Sequence, residues 1–337
     1  MKKKNYGNLF ILFALTVFFA ILGGMLYTGN IGRQFTNMLI PIFMYIVLAV
    51  SLNLVVGLLG ELSLGHAGFM SAGLFTGCLV SIRLYGLVSD PLRFVISMLV
   101  GGLVAAVFGL IVGLPTLRLR GDYLAITTLA CGEIIKTIIT NLKITGGARG
   151  LDTGHVYSGA KTLFPYAVVL VYLTVIVMMH IKNSAQGRAI MAIRDNRIAA
   201  ESIGINVTHY KLAVFVIAAF FAGAAGVLYG HCFANVKAAS FDYNVSIEIL
   251  VIVVLGGMGN IFGSIAAAVI LRALPEMLRG FENYRMLIYA IVLIMVMVLS
   301  NNKKVQSFRY MVTGKLKKKL RERKAAKQAK KGGEMNG

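Results

Sequence analysis

Glu133 and His66 are the ionisable side chains of this sequence best placed for proton or ion transfer, because both lie inside apolar segments. Lys136 follows Glu133 by three residues, so the two side chains would share one face of a helix and can form an ion pair. Alternatively, Glu133 lines a translocation path or braces a moving helix. His66 lies among glycines in SLGHAGF, where it is either a hydrogen-bonded structural histidine or a residue of the same path.

The sequence lacks the residue sets that bond chemistry needs. No nucleophile and base stand at a recognisable spacing, so we expect no catalytic residue. No phosphate-binding GxxxxGK[ST] loop occurs, since the only Gly-Lys pair, Gly314-Lys315, is followed by leucine. Cys78, Cys131 and Cys232 are far apart and form no CxxC pair, which argues against a disulfide or a zinc site. We therefore expect no cofactor, no metal and no ATPase site within this chain.

The composition indicates a membrane protein. Hydrophobic residues make up 58% of the chain and charged residues 14%, with a mean hydropathy of +0.78, whereas soluble proteins carry roughly 25% charged residues. A helix needs about 20 mostly apolar residues to span a bilayer. Uncharged segments of that length are 8–27, 35–60, 94–117, 163–181 and 212–235, and interrupted ones are 62–82, 122–142, 245–271 and 286–300. They predict an all-α fold over residues 1–300, a polytopic transmembrane helical bundle with Gly-broken or re-entrant segments.

Basic residues account for the formal charge of +21 and set the predicted topology. Residues 301–337 hold thirteen Lys or Arg against two Glu, a net of +11, and are expected to form a disordered cytoplasmic tail. No aromatic platform is interleaved with these lysines, so the predicted partner is anionic lipid and not nucleic acid. The positive-inside rule places both termini and the loop 182–211 in the cytoplasm. If 245–271 were one full crossing, the basic tail would lie outside, so this segment is predicted to be a re-entrant pair with halves at 247–255 and 264–271.

Two glycine-rich segments, 57–77 and 255–263, interrupt the apolar pattern, one in each half of the chain. Paired broken segments let backbone line a polar pathway in transporters. The alternative is close helix packing, since small-xxx-small spacings let helices approach. Together with Glu133, the candidate residues of the translocation path are Gly65, His66, Gly68, Gly256, Gly257 and Gly259.

The polar loop 182–211 separates two uncharged spans and has the pattern of two short helices that break near Asp195 and Asn196. Ile190 and Ile193 fall on one face, either residue of the break can cap the second helix, and Gly204 ends it. Such a loop either inserts into a groove of a cytoplasmic partner or lies on the membrane as a solvated amphipathic segment.

This loop resembles the cytoplasmic loop of ABC importer permeases, whose Glu-Ala-Ala-x-x-x-Gly pattern docks on the ATPase. Ala199, Ala200 and Gly204 match that pattern, while Ile198 takes the place of its glutamate and Glu201 follows the alanines. The segments 51–69, 117–134, 145–152, 192–215 and 253–268 together resemble the branched-chain amino acid branch of these permeases. The residues that the resemblance marks for ATPase coupling are Arg188, Arg194, Asp195, Asn196, Ala199, Ala200, Glu201 and Gly204.

The resemblance implies a permease subunit of an ATP-driven importer in the bacterial cytoplasmic membrane. It also implies partners, namely ABC ATPase subunits, a second related permease chain and an extracytoplasmic substrate-binding protein. Branched-chain amino acids are the expected cargo, although related permeases carry urea, short amides, nucleosides or sugars. A proton- or sodium-coupled secondary transporter that uses Glu133 and His66 is a more distant alternative.

Overall fold

The computed structural model describes residues 6–28, 32–119 and 121–277, and the single positions 287, 290, 291 and 294. Within these ranges the α-helices are α1 Tyr6–Tyr27, α2 Arg33–Asn53, α3 His66–Arg83, α4 Asp90–Thr116, α5 Asp122–Asn141, α6 Ala160–Asn183, α7 Ala185–Asp195, α8 Arg197–Ser202, α9 Val207–Gly230, α10 Tyr243–Gly256 and α11 Ile261–Met277. Two short strands, β1 Leu151–Asp152 and β2 Asn235–Val236, pair antiparallel. The predicted all-α membrane bundle is confirmed. The tail 301–337 and most of the predicted span 286–300 lie outside the described residues.

Six described segments are long and apolar enough to cross a membrane, namely Phe35–Leu59, Asp90–Thr116, Asp122–Asn141, Ala160–Asn183, Val207–Gly230 and Ala238–Gly256. The first of these, α2 with the π-helical turn Leu54–Leu59, is the centre of the bundle. Its side chains from Leu39 onward are almost all buried, and it packs against α6, α9, α10 and α11. Because lipid offers the backbone no hydrogen-bonding partner, helices are the form in which these segments can cross.

Contacts between helices define two ends of the bundle. At one end, where the residues predicted to couple to an ATPase lie and which is called the coupling end below, α7 packs against the π-helical turn and α9. At the opposite end, β1 and β2 join the loop after α5 to the loop after α9, and Ser158 N–H donates to the His231 carbonyl at 2.9 Å. The end of α1 also lies there, since the Tyr27 hydroxyl donates to the Lys161 carbonyl at 3.2 Å. This arrangement agrees with the predicted order of passes; which end faces the cytoplasm stays a prediction.

The second predicted glycine break is present, and the first is shorter than the predicted segment 57–77, because α3 is helical without interruption from His66. After the π-helical turn, Gly60 adopts a left-handed φ of 78° and the chain stays non-helical until α3 begins at His66. The second break, at Gly257 and Gly259, has φ values of 92° and 78° and forms the tip of a hairpin between α10 and α11.

The helices of this hairpin are longer than the sequence suggests. The predicted halves 247–255 and 264–271 are wrong in length, because α10 has 14 residues and α11 has 17. Asp242 explains the earlier start of α10, since its carboxylate accepts hydrogen bonds from the first free backbone N–H groups, those of Asn244 and Val245. The hairpin nevertheless returns the chain to the end where it began, as a re-entrant pair would.

Glycines also set the closest helix contacts, where α3, α4 and α9 meet. A Cβ added to Gly73 would lie 2.7 Å from the carbonyl carbon and oxygen of Gly223. One added to Gly101 would lie 2.5 Å from the Gly73 carbonyl oxygen. Backbone therefore touches backbone at this junction, and small-xxx-small packing, the alternative explanation of the glycines, is confirmed there.

Candidate functional site

The two predicted short helices at the coupling end are confirmed as α7 and α8. They meet at Asn196, whose side-chain oxygen accepts the Ala199 N–H at 3.1 Å and so caps α8. Ile190 and Ile193 lie on the inner face of α7 and are buried. The loop is therefore a packed part of the bundle and is held against the spans by an apolar face.

α8 ends in a Schellman turn. Gly204 has a φ of 84°, its N–H donates to the Glu201 carbonyl at 3.0 Å, and the Ile205 N–H donates to the Ala200 carbonyl at 3.1 Å. These are the two hydrogen bonds that define the motif, and the left-handed conformation explains why glycine stands at this position. The predicted end of the second helix is confirmed.

Part of the outer surface of α8 is apolar, beside the exposed polar residues Glu201 and Ser202. Ile198 and Ile203 are 74% and 75% exposed, and Ala199 and Gly204 are exposed beside them. Ala200 is only 2% exposed, so it packs beneath this surface and does not form part of it. The other residues marked for coupling, which are also exposed, are Arg188, Arg194, Asp195, Asn196 and Glu201. The helical pattern also predicts Ile203 on the face of Ile190 and Ile193, which is wrong, and it does not mark Ile198 as a contact, because the pattern alone does not say which apolar residues stay uncovered.

Two cations connect the coupling end to both glycine breaks. Arg194, at the end of α7, donates from its guanidinium to the Gly57 carbonyl at 3.1 Å. Lys182, at the end of α6, donates to the Gly259 carbonyl at 2.6 Å. Each cation meets backbone oxygen near a helix end, where the helix dipole favours positive charge. A displacement of this loop would therefore reach both broken segments directly.

Asn53 fastens the hairpin tip to the central helix. It is 2% exposed, its side-chain oxygen accepts the Gly259 N–H at 2.7 Å, and its amide donates to the Ser264 hydroxyl at 2.8 Å. The two broken segments meet here, because the backbone of Gly57 lies against that of Gly259, but the candidate path glycines of the first segment, Gly65 and Gly68, lie elsewhere. Buried polar groups that satisfy each other in this way hold a unique arrangement.

A buried ion pair reinforces the same end. The Lys211 ammonium in α9 binds the Glu61 carboxylate in the segment after the π-helical turn, and their side chains are 3% and 15% exposed. Removing one partner of such a pair leaves a buried charge uncompensated, which is strongly destabilising. Sequence reasoning missed this pairing, because 150 residues separate the two side chains.

Glu133 forms the predicted ion pair with Lys136. Its other carboxylate oxygen accepts the backbone N–H of Tyr243 at 2.9 Å, at the first residue of α10. A carboxylate at a helix N-terminus is favoured by the helix dipole. Glu133 therefore anchors one end of the hairpin, which suits the predicted role of bracing a helix; a place in the translocation path stays a prediction.

His66 is a hydrogen-bonded structural residue in this conformation. It is 2% exposed, and its Nε2 lies 2.9 Å from the Ser51 hydroxyl of α2. The neighbouring candidates Gly65 and Gly68 lie against α5, where added Cβ atoms would stand 2.7 Å from the Thr128 carbonyl and 2.6 Å from Gly132 Cα. These contacts serve helix packing, and a role in the path for the three residues stays a prediction.

A second cluster of polar groups, which sequence reasoning missed, lies between α2, α10 and α11. The Tyr45 hydroxyl donates to one oxygen of Glu248 at 2.8 Å, and the Arg272 guanidinium lies 3.2 Å from the other. Arg272 also stacks over the Tyr45 ring, 4.4 Å from its centroid. Both charged residues interrupt apolar helices in the sequence, and that interruption was the available signal.

Residues 34–297 match the family described as branched-chain amino acid transport system / permease component. This match covers most of the chain, including the α7–α8 loop, both glycine breaks and the polar cluster. The chain belongs to this permease family.

Relatives within and near the permease family agree with this assignment. The high-affinity branched-chain amino acid transport permease LivM of Salmonella typhimurium is 38% identical over 75% of this chain and 66% of its own length. LivM of Escherichia coli is 37% identical over the same shares. The ribose import permease RbsC of Haemophilus influenzae is 26% identical over 76% of this chain and 81% of its own length. No solved structure matches the chain.

Proposed function

We propose that this chain is the transmembrane permease subunit of an ATP-driven ABC importer for branched-chain amino acids. It forms the translocation path and has no ATPase site of its own. Separate ATPase subunits dock on the α7–α8 loop, a second related permease chain completes the path, and an extracytoplasmic substrate-binding protein delivers the cargo. The protein then lies in the bacterial cytoplasmic membrane with both termini and this loop in the cytoplasm.

The observation that carries the proposal is the exposed apolar surface of α8 on a loop that is tied to both glycine breaks. Ile198 and Ile203 are well suited to a hydrophobic groove on a partner, in the manner of helix-in-groove recognition. Arg194 and Lys182 bond the same loop to the Gly57 and Gly259 carbonyls. A solvated loop that only lies on the membrane does not require such direct attachment to the core.

Coupling follows from these contacts. When ATP draws the ATPase subunits into their closed state, the docked helices move with them. The cations at the ends of α6 and α7 then carry that displacement to the π-helical turn and to the tip of the α10–α11 hairpin. ATP shifts the population between outward-facing and inward-facing bundles because the ATPase binds the two differently.

Two alternatives receive different support. The likeness to a ribose import permease favours sugar as the second cargo class within the same kind of machine. The ion-coupled transporter would use Glu133 and His66, but Glu133 is held by Lys136 and the start of α10, and His66 is buried against Ser51. Neither side chain is poised to take up an ion in this conformation, so this alternative is the less favoured.

The docking surface can be tested with arginine substitutions. We expect Ile198→Arg or Ile203→Arg to abolish co-purification of the chain with its ATPase, because a charge in an apolar groove is costly unless it is paired. Leu87→Arg is the matched control, since Leu87 is 77% exposed but lies between α3 and α4, away from the coupling end. Substitution of Ala200 is less informative, because Ala200 is buried and its replacement disturbs α8 itself.

An intact complex with either isoleucine variant would remove the docking assignment. The transport assignment is measured separately, as ATP-dependent uptake of labelled leucine by proteoliposomes that contain the full complex and the binding protein. Competition by ribose then distinguishes the two cargo classes. Uptake that persists without the ATPase and collapses with an ion gradient would favour the secondary transporter.

A further inference from the structure

The cluster of Tyr45, Glu248 and Arg272 lies at mid-membrane depth. Tyr45 is the eleventh residue of the 25-residue span Phe35–Leu59. At about 1.5 Å per residue it is about 15 Å from the start of that span, against a hydrocarbon thickness of about 30 Å. Transporters bind their cargo near this depth, on helices that are interrupted. α10 and α11, which carry the two charges, are the two arms of the glycine-broken hairpin.

The two charged side chains are partly open. Glu248 is 27% exposed and Arg272 is 33% exposed, although they are paired with each other. A charge at the centre of a span that faced lipid would be strongly unfavourable. The open side of the cluster therefore faces a polar space, either inside this chain or against the second permease chain. Ionisable groups in that setting mark the path of a substrate or an ion.

We propose that Glu248 and Arg272 form the binding site for the charged head of a zwitterionic amino acid, with Tyr45 as a positioning residue. The Arg272 guanidinium would take the substrate carboxylate through two parallel hydrogen bonds, and the Glu248 carboxylate would take its ammonium group. The Tyr45 hydroxyl contacts Glu248 and its ring contacts Arg272, so Tyr45 holds both side chains in place. This inference rests on the proposed function and names where in the path the cargo is recognised.

The charges of the cluster explain why a zwitterion is favoured over other cargoes. Without substrate, the two side chains neutralise each other at 3.2 Å. A zwitterion can separate them and still leave every charge paired, so the site stays neutral. If it separated the pair, a simple amine or a simple carboxylate would leave one charge uncompensated in the membrane, and a sugar would leave both charges without ionic partners. Such unpaired charges are the usual means by which a site rejects a near analogue.

The decisive experiment uses the double variant Glu248→Gln/Arg272→Gln in the complete complex, reconstituted in liposomes with leucine-loaded binding protein. Both charges are removed, so neither is left unpaired, and a purely structural pair would be replaced without loss. We expect assembly and ATP hydrolysis to continue while leucine uptake at low concentration falls at least about tenfold, since hydrogen bonds to charged groups contribute about 1.5–3 kcal/mol. The double variant Asp90→Asn/Arg93→Gln, which removes an ion pair in the first turn of α4, is the control for loss of an ion pair.

The outcomes separate the two proposals. Wild-type uptake of leucine together with unchanged uptake by the double variant overturns this site and leaves the proposed function standing. A wild-type complex that takes up no zwitterionic amino acid overturns both. If the double variant does not assemble, Arg272→Lys decides, because lysine keeps the charge but loses two-pronged carboxylate binding. A raised leucine concentration for half-maximal uptake supports the site, and an unchanged one overturns it.

Discussion

The glycine junction of α3, α4 and α9 allows a strict test of the packing with the smallest possible substitution, Gly73→Ala. The new Cβ would lie 2.7 Å from the carbonyl carbon and oxygen of Gly223, whereas ordinary contacts begin near 3.4 Å. The two helices would therefore have to separate by about 0.7 Å or more. No flexible side chain can move aside instead, because the atoms that are met belong to the backbone of α9.

Two effects of opposite sign decide how much Gly73→Ala changes the free energy of unfolding. Alanine stabilises a helix interior by about 0.5–1 kcal/mol relative to glycine. Overpacking a close-packed contact costs about 1–3 kcal/mol, and the upper end applies where backbone must move. The net loss is about 2 kcal/mol. For a chain of 337 residues, with an unfolding entropy of about 2.1 cal/mol/K per residue, it corresponds to a Tm lowered by about 3 °C.

The measurement is the thermal transition of the purified protein in detergent, compared with Gly24→Ala. Gly24 is also helical, in α1, but no described atom lies within 4 Å of the Cβ it would acquire. That control should leave the Tm unchanged or slightly raised, since only the gain in helix propensity applies. If Gly73→Ala were as stable as Gly24→Ala, the close approach of α3 and α9 would be refuted.

Two further predictions concern the coupling end. Arg194→Gln should leave ATP hydrolysis by the complex near its normal rate but reduce leucine uptake about tenfold, because the charged hydrogen bond to the Gly57 carbonyl is lost. Both rates are measured on the same proteoliposomes. If hydrolysis and uptake fell in parallel, Arg194 would not have a transmitting role. Lys211→Met should destabilise the chain by about 3 kcal/mol in thermal unfolding, because it leaves the Glu61 carboxylate unpaired and largely buried. The double variant Lys211→Met/Glu61→Gln should recover most of that loss, and a double variant as unstable as the single one would contradict this explanation.

Much of the fold follows from local pattern. Long uncharged runs fix the spans, because about 20 apolar residues are needed to cross the bilayer and few other structures satisfy the backbone there. The break between α7 and α8 is readable from Asn196 and Gly204, because capping and the left-handed conformation each select a few residue types. Contacts between residues three or four positions apart on one helix, such as the pair of Glu133 and Lys136, can also be predicted from the sequence.

The candidate site was harder to predict from the sequence, because its parts meet only after folding. Glu248 and Arg272 are 24 residues apart and come together only because the hairpin turns at Gly257–Asn260, and Tyr45 reaches them from the first half of the chain. The burial of Ala200 beside the exposed Ile198 depends on how α8 sits against α9. Sequence periodicity identifies an apolar residue but not which of its neighbours covers it.

The α10–α11 hairpin connects these observations to a mechanism. It is held at its start by Glu133, at its middle by the contacts of Tyr45 with Glu248 and Arg272, and at its tip by Asn53 and Lys182. The first and last of these are fixed hydrogen bonds to backbone, but the middle one is an ion pair that a zwitterion can replace. A push delivered through Lys182 to the tip therefore acts on the same element that holds the charged cluster. Because one hairpin carries both contacts, a movement of the coupling loop can reach the bound substrate head group through this hairpin alone. No other helix of the bundle has to transmit it.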